Sequence, residues 1–331
     1  MTFWNSMHVR WLAVALVGVA LSVAAVPARA DDYPSRPITV IVPFPPGGSS
    51  DIVMRLVAHK VAESMKQTIV IENRAGAAGN VAAMAIKNAT PDGYLLMMGH
   101  TGTHAMNSAL YNDLKFDPVK DFQPITALIS FNNILVVPAA SPAKSVAELV
   151  ALAKTKPEGL SYGSQGVGTG GHLLGELFAK HAGIKMVHVP YRGIAPAVTD
   201  TVAGRMDLLF ASYVSIGGHA EAGRLRMLGI ASTERHPRIP DVPTMPELGF
   251  PDVQMQQWFG LFGPAGLPAP ITAKLNAEFV KALRSDEVKD KMLPQVVFVI
   301  PGTPEELGAI VKRDIVRLGK VVRESGAKAP D

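Results

Sequence analysis

The chain has no cysteine. That excludes disulfides, zinc–thiolate centres, thiol nucleophiles and a lipid carried on a leading cysteine. Charged residues are only 18% of the whole, too few for a disordered chain or a protein that coats nucleic acid. The formal charge of +4 includes Arg10 and Arg29 in a leading segment free of acids, so the remainder stands near +2. Such a balance leaves no electrostatic footprint for DNA or a membrane surface. Outside the first thirty residues no apolar run is long enough to span a bilayer. There is no low-complexity linker and no internal repeat.

Apolar residues reach 48% of 331 positions, enough to build two domains with real cores. The leading segment has the pattern of an export signal. His8 and Arg10 precede the apolar run Trp11 to Val26, and Ala28-Arg29-Ala30 fits a small-x-small cleavage site. Residues 1–30 are thus expected to be removed, leaving Asp31 first in a protein outside the cytoplasm.

Beyond residue 32, β-rich runs alternate with helical periods. ITVIVPF (38–44) reads as a strand, and residues 50–66 as a helix with Val53, Leu56, Val57, Val61 and Met65 on one face. Strands 68–73 and 94–100 follow, with a helix from Gly79 to Ala89 between them. The alternation restarts after the stretch 121–138. Strands are expected at 160–164, 185–191, 206–212, 225–232 and 296–300. Helices are expected at 169–182, 271–284 and after two capping boxes, Ser145 to Glu148 and Thr303 to Glu306. The passage from Pro237 to Pro270 shows no helical period. This is the pattern of α/β units with mostly parallel sheets flanked by helices. The last segment is too small to stand alone and needs a sheet to join. We therefore expect two lobes, with two chain crossings near 131–137 and 256–262 and a cleft between them.

In open α/β sheets, ligands sit beyond the carboxyl ends of the strands. Those positions hold PPGGSSD after the first strand, GHTGTHA (99–105) after the third and GSQGVGTGG (163–171) in the second unit. Each runs into an expected helix. Free N–H groups and the positive end of the helix dipole make such starts suited to anions. Loops of this kind on both lobes would suit an anion with two ends, such as a dicarboxylate.

The string YPSRPITVIVPFPPGGSSDIVMRLVA resembles the start of the mature Bug family of extracytoplasmic solute receptors, the TctC-like substrate-binding components of tripartite tricarboxylate transporters. The resemblance continues in order through VIENRAGAAGNVAA, TPDGYLLMMGHTGTHAMNSALY, LSYGSQGVGTGGHLLGELF, MVHVPYRGIAPAVTD and WFGLFGPAGLP. It implies a type II-like, Venus-flytrap periplasmic-binding-protein fold. Lobe 1 would comprise 31–133 and 258–331, and lobe 2 would comprise 134–257. It also implies a monomer that holds a small carboxylate, needs no cofactor or metal, binds no nucleic acid, catalyses nothing and delivers its ligand to membrane subunits. Carried over, Phe44, Gly47, Gly48, Ser49, Ser50 and Asp51 would form the first ligand loop, and Thr101, Gly102 and Thr103 a second wall. Ser164, Gly168, Thr169 and Gly170 would face them, with Tyr191 and Arg192 alongside. Ala211 stands where amino-acid-binding relatives tend to carry an aspartate, which argues against an amino-acid ligand. Arg192 replaces the more common lysine and could grip a carboxylate in bidentate fashion.

Other residues invite sharper interpretations. Gly166 to Gly171 fits G-x-G-x-x-G between a strand and a helix, the basis of an alternative assignment as a secreted nucleotide-dependent oxidoreductase. The acid expected about twenty residues later is missing. His100 and His104 have a metal-like spacing, but the glycine between them and the lack of a nearby carboxylate assign them to a polar loop. His172 could touch ligand or pack half-buried. Trp258 and Phe259 fall at the second crossing, where a hinge core is favoured over a cleft wall. Arg74 is expected to tie a loop. No G-x-S-x-G elbow or serine–histidine–acid set occurs.

Overall fold

The computed structural model describes residues 33–329; the expected export signal lies outside them. From Arg36 onward the chain forms one compact unit built on two sheets. The first contains β1 (Ile38–Val42), β2 (Ile69–Asn73), β3 (Leu95–His100), β4 (Phe122–Asn132), β10 (Gln256–Pro264) and β11 (Phe298–Val299), in the order β11-β4-β10-β3-β1-β2. The second contains β5 (Ile134–Pro138), β6 (Leu160–Ser164), β7 (Met186–Pro190), β8 (Leu208–Ala211) and β9 (Leu225–Ile230), in the order β7-β6-β8-β5-β9. The architecture is a two-lobed α/β fold. Both sheets are mixed. β1 runs parallel to β2 and β3, and β6 parallel to β7 and β8. The strands nearest the crossings pair antiparallel, because the chain reverses there without a crossover helix.

Among the described residues ten α-helices accompany the sheets. They are α1 (Ser49–Met65), α2 (Asn80–Lys87), α3 (Asn107–Leu110), α4 (Val146–Thr155), α5 (Gly170–Ala182), α6 (Ile194–Val202), α7 (Tyr213–Glu221), α8 (Ala269–Arg284), α9 (Asp286–Met292) and α10 (Pro304–Ser325). A π-helical turn, Gly102–Met106, leads from β3 into α3. At the start of α10, Thr303 Oγ1 accepts from Glu306 N and Glu306 Oε2 accepts from Thr303 N, so the expected capping box is present. At α4 only half of one forms. Ser145 Oγ accepts from Glu148 N, while the Glu148 carboxylate accepts from Lys144 N.

The expected stretch 121–138 is two strands, β4 and β5, which belong to different sheets. β10 was hidden in the proline-rich passage, because a strand buried on both faces shows a continuous apolar run rather than alternation. The last strand shortens to Phe298–Val299 and joins the first sheet beside β4, as a strand in need of a partner should. At the crossings, Asn132 Nδ2 donates to Ala231 O (2.7 Å) and Met255 O (3.1 Å), which ties the two passages together. Trp258 anchors β10 through Nε1, which donates to the fully buried Asp314 of α10 at 2.9 Å.

Candidate functional site

Where β1, β3, β6 and β7 end, their loops meet around a small enclosed cavity. The first sheet supplies Phe44, Gly48, Ser49, Ser50, His100, Thr101, Phe131 and Gln257–Phe259. The second supplies Gln165, Thr169, Gly170 and Ile194. The space open to the centre of a water molecule is about 20 Å³, roughly what a single water needs. A larger outer groove of about 700 Å³ lies beside it, lined in part by Ala75–Ala78, Tyr111, Tyr191 and Arg192. Phe44 and Gln165 border both spaces.

The loop after β1 is shaped by Asp51. Its carboxylate accepts from Gly47 N (3.0 Å), Arg55 Nε (2.9 Å) and Asn73 Nδ2 (2.9 Å), and Asn73 Nδ2 also donates to Phe44 O. Burial pushes the Asp51 carboxyl up, but these donors outweigh it and hold it below its usual value. Gly47 adopts φ +83°, a left-handed turn that favours glycine. The chain can then enter α1 with Gly48 as N-cap and no side chain covering the helix start.

The loop after β6 is pinned from behind. His172 Nδ1 accepts from Gly168 N (3.2 Å), Ser164 Oγ accepts from Gly166 N (3.0 Å), and the Thr169 hydroxyl donates to Gly166 O (2.7 Å). The Thr169 hydroxyl is thereby turned away from capping α5, whose first turn holds no acid. A Cβ at Gly171 would lie 2.8 Å from Phe210 O, so this helix start packs directly on backbone. α6 begins beside it after Gly193, again with no side-chain cap and no acid in the first turn. Three helix starts without a side-chain cap therefore contribute residues to one cavity.

No Asp, Glu, Lys or Arg is among the lining residues of the cavity. His100 is neutral there, because burial lowers its pKa to about 4. Its Nδ1 accepts from Gly102 N (3.0 Å) and its Nε2 faces Ala78 O (3.2 Å), which fixes the proton on Nε2. Phe44, Phe131, Trp258, Phe259 and Ile194 supply its apolar wall, and Gln165 and Gln257 add neutral amides. The cavity can therefore offer an anion neutral N–H and O–H donors and helix dipoles, next to apolar surface.

Of the residues expected at the site, Phe44, Gly48, Ser49, Ser50, Thr101, Thr169 and Gly170 line the cavity. Tyr191 and Arg192 line the outer groove instead. Tyr191 Oη donates to Asp200 Oδ2 at 2.7 Å, and burial together with that carboxylate pushes its pKa up to about 12. Gly47, Asp51, Gly102, Thr103, Ser164, Gly168 and Ala211 line neither space. Asp51, Ser164 and Gly168 hold loops through the bonds above. Thr103 Oγ1 donates to His100 O, and Ala211 is a fully buried strand residue paired with Ile134.

His100 is a wall residue at the end of β3 rather than part of a polar loop, and His104 is fully buried against Phe262 with ring centroids 4.0 Å apart. Trp258 and Phe259 serve both core and wall. Arg74 bonds Glu72 through its side chain and Val42 O through its backbone. Sequence reasoning missed Phe131, Gln165, Ile194 and Gln257. Gln165 lies inside the quoted loop, but its neighbours carried the glycine signal. Phe131 and Gln257 face each other across β4 and β10, a pairing that requires the unrecognised strand.

The profile of the family described as "Tripartite tricarboxylate transporter family receptor" matches residues 53–327. Among curated relatives, Protein BugT of Bordetella pertussis is 33% identical over 320 residues, 96% of this chain and 98% of BugT. Among solved structures, Rpa4515 of R. palustris with adipate has 34% identity and a TM-score of 0.86, covering 90% of this chain and 99% of that one. MatC of Rhodopseudomonas palustris with bound malate has 34% identity and a TM-score of 0.84, covering 88% of this chain and all of that one. These matches give no support to the oxidoreductase alternative. Of the glycine string Gly166 to Gly171, Thr169 and Gly170 line the cavity while Gly166 and Val167 line the outer groove.

Proposed function

The chain belongs to the tripartite tricarboxylate transporter receptor family, and we propose that it captures a small carboxylate between its two lobes and carries it to membrane transporter subunits. The observation that carries this reading is the meeting of three uncapped helix starts at one cavity without a charged side chain. A carboxylate there receives N–H donors and dipoles from both lobes. The body of the ligand would lie against Phe44, Phe131 and Phe259, and a second anionic group would reach the outer groove near Arg192. Structures of relatives with adipate and with malate support a carboxylate ligand.

The two lobes would part about the Asn132 ties to admit the ligand, because the enclosed space takes little more than one water. Ligand that bonds both lobes then favours closure over the open state, which offers only part of those bonds. No chemistry is required of the site. His100, the titratable side chain in the wall, has both ring nitrogens engaged. Export through the leading apolar segment, followed by its cleavage, would place the protein in the periplasm as a monomer.

A thermal-shift screen of the exported protein with di- and tricarboxylates, aromatic acids, amino acids and NAD tests the reading. At about 100 times its dissociation constant a ligand adds roughly 2.7 kcal/mol. A carboxylate shift with NAD silent is the expected result, and a shift with NAD alone would overturn it.

A further inference from the structure

Gln257 has no role in the account so far. It sits on β10 opposite Phe131 of β4, just after the chain re-enters the first sheet. Its side chain points inward where that of Gln256 points to solvent, and the residue is only 7% exposed. Its Nε2 is buried and has no hydrogen-bond partner among the described residues. A Cβ at Gly170 would lie 2.0 Å from Gln257 Oε1 and 2.6 Å from Nε2, so the amide packs directly on the first residue of α5. That helix start is uncapped and free of acids. A buried amide donor without a partner is costly in a folded protein, and this one stands in the wall of the cavity at a positive helix end.

Resting on the carboxylate reading above, we propose that Gln257 is a specificity-determining ligand contact. Its Nε2 donates to the carboxylate held at the start of α5. The donor comes from the strand that begins at the second crossing, so one ligand oxygen would be shared between the crossing strand and the second lobe. A neutral amide suits a site that recognises an anion without a cationic side chain. With Nε2 toward the ligand it gives a hydrogen to a carboxylate oxygen; only turned over would its Oε1 accept from an ammonium, so the orientation seen here is the one that suits an anion.

The test compares the exported protein with its Gln257→Leu and Gln257→Glu variants. Each is melted without ligand and titrated by calorimetry with adipate, malate and benzoate. Wild type should bind at least one acid. Gln257→Leu should bind that acid about 10- to 100-fold more weakly, as expected for losing a hydrogen bond to a charged group. Its unliganded melting temperature should be unchanged or higher, because the unpaired donor is gone. Gln257→Glu should bind more weakly still, since it sets a carboxylate against the ligand. If Gln257→Leu keeps its affinity within twofold, the inference fails while the carboxylate reading stands. A loss of affinity accompanied by a clear fall in the unliganded melting temperature also overturns the inference, since the amide would then be structural. If wild type binds none of the acids, both the carboxylate reading and the inference fall.

Discussion

Replacing Asp51 with alanine should destabilise the protein and disorder the loop that begins the site, although Asp51 does not line the cavity. The carboxylate is buried and accepts three hydrogen bonds, from Gly47 N, Arg55 Nε and Asn73 Nδ2. Arg55 is half exposed, with a side-chain accessibility of 50%, so water compensates most of its loss. Gly47 is exposed and Asn73 half-buried, so water reaches these donors in part as well. Losing these hydrogen bonds costs about 0.5–1.5 kcal/mol each, and Asn73 retains its bond to Phe44 O, so the sum is about 1–3 kcal/mol. In a protein of this size that lowers the melting temperature by roughly 2–5 °C. Carboxylate affinity should fall as well, because Gly48, Ser49 and Ser50 lose their fixed positions. Calorimetric melting of Asp51→Ala and Asp51→Asn, with and without ligand, separates the possibilities. Asp51→Asn keeps one acceptor and should lie between wild type and Asp51→Ala in both stability and affinity. An Asp51→Ala protein that melts with wild type would refute the anchoring argument. An Asp51→Asn protein of full stability but no affinity would show that the carboxylate meets ligand directly.

Two further outcomes follow from the same geometry. Gly171→Ala places a Cβ 2.8 Å from Phe210 O, and since that neighbour is backbone, overpacking should cost about 1–3 kcal/mol; a variant that melts with wild type contradicts the packing of α5 on β8. Stability should also fall as pH drops from about 6.5 toward 4. Burial lowers the pKa of His100 and His172 to about 4, and that of His104 and His188 to about 3 with help from a neighbouring histidine. These rings stay neutral in the fold while the unfolded chain takes up protons below its ordinary value, so each contributes a loss of up to about 1.4 kcal/mol per pH unit. Melting curves between pH 7.5 and 4.5 check this, and a flat profile would count against neutral buried rings.

The sequence displayed the alternation of strands and helices clearly, because β1 to β3 and β6 to β8 are short, apolar and separated by amphipathic helices. Loop positions that face the cavity were legible wherever glycine and hydroxyl residues follow a parallel strand. What stayed hidden depends on long-range pairing. β10 is buried on both faces, so its run Gln257 to Phe262 carries no period, and the wall residues on it, with Phe131 opposite, could not be placed. The split between residues that line the cavity and residues that shape it was also invisible. Asp51 and Ser49 share the first turn of α1, and only the bonds from Gly47 and Asn73 assign Asp51 to support. Arg192 could be read as a carboxylate clamp from its charge, whereas its position on the outer groove follows from the turn after β7.

The central claim is that a cavity without a cationic side chain selects an anion through helix starts and neutral donors. Isothermal titration of the exported protein with a dicarboxylate such as adipate, beside its uncharged diamide, tests this most directly. The acid should bind measurably and the diamide at least about 100-fold more weakly, since hydrogen bonds to a charged group are worth roughly twice neutral ones. Equal affinity for the two would contradict it.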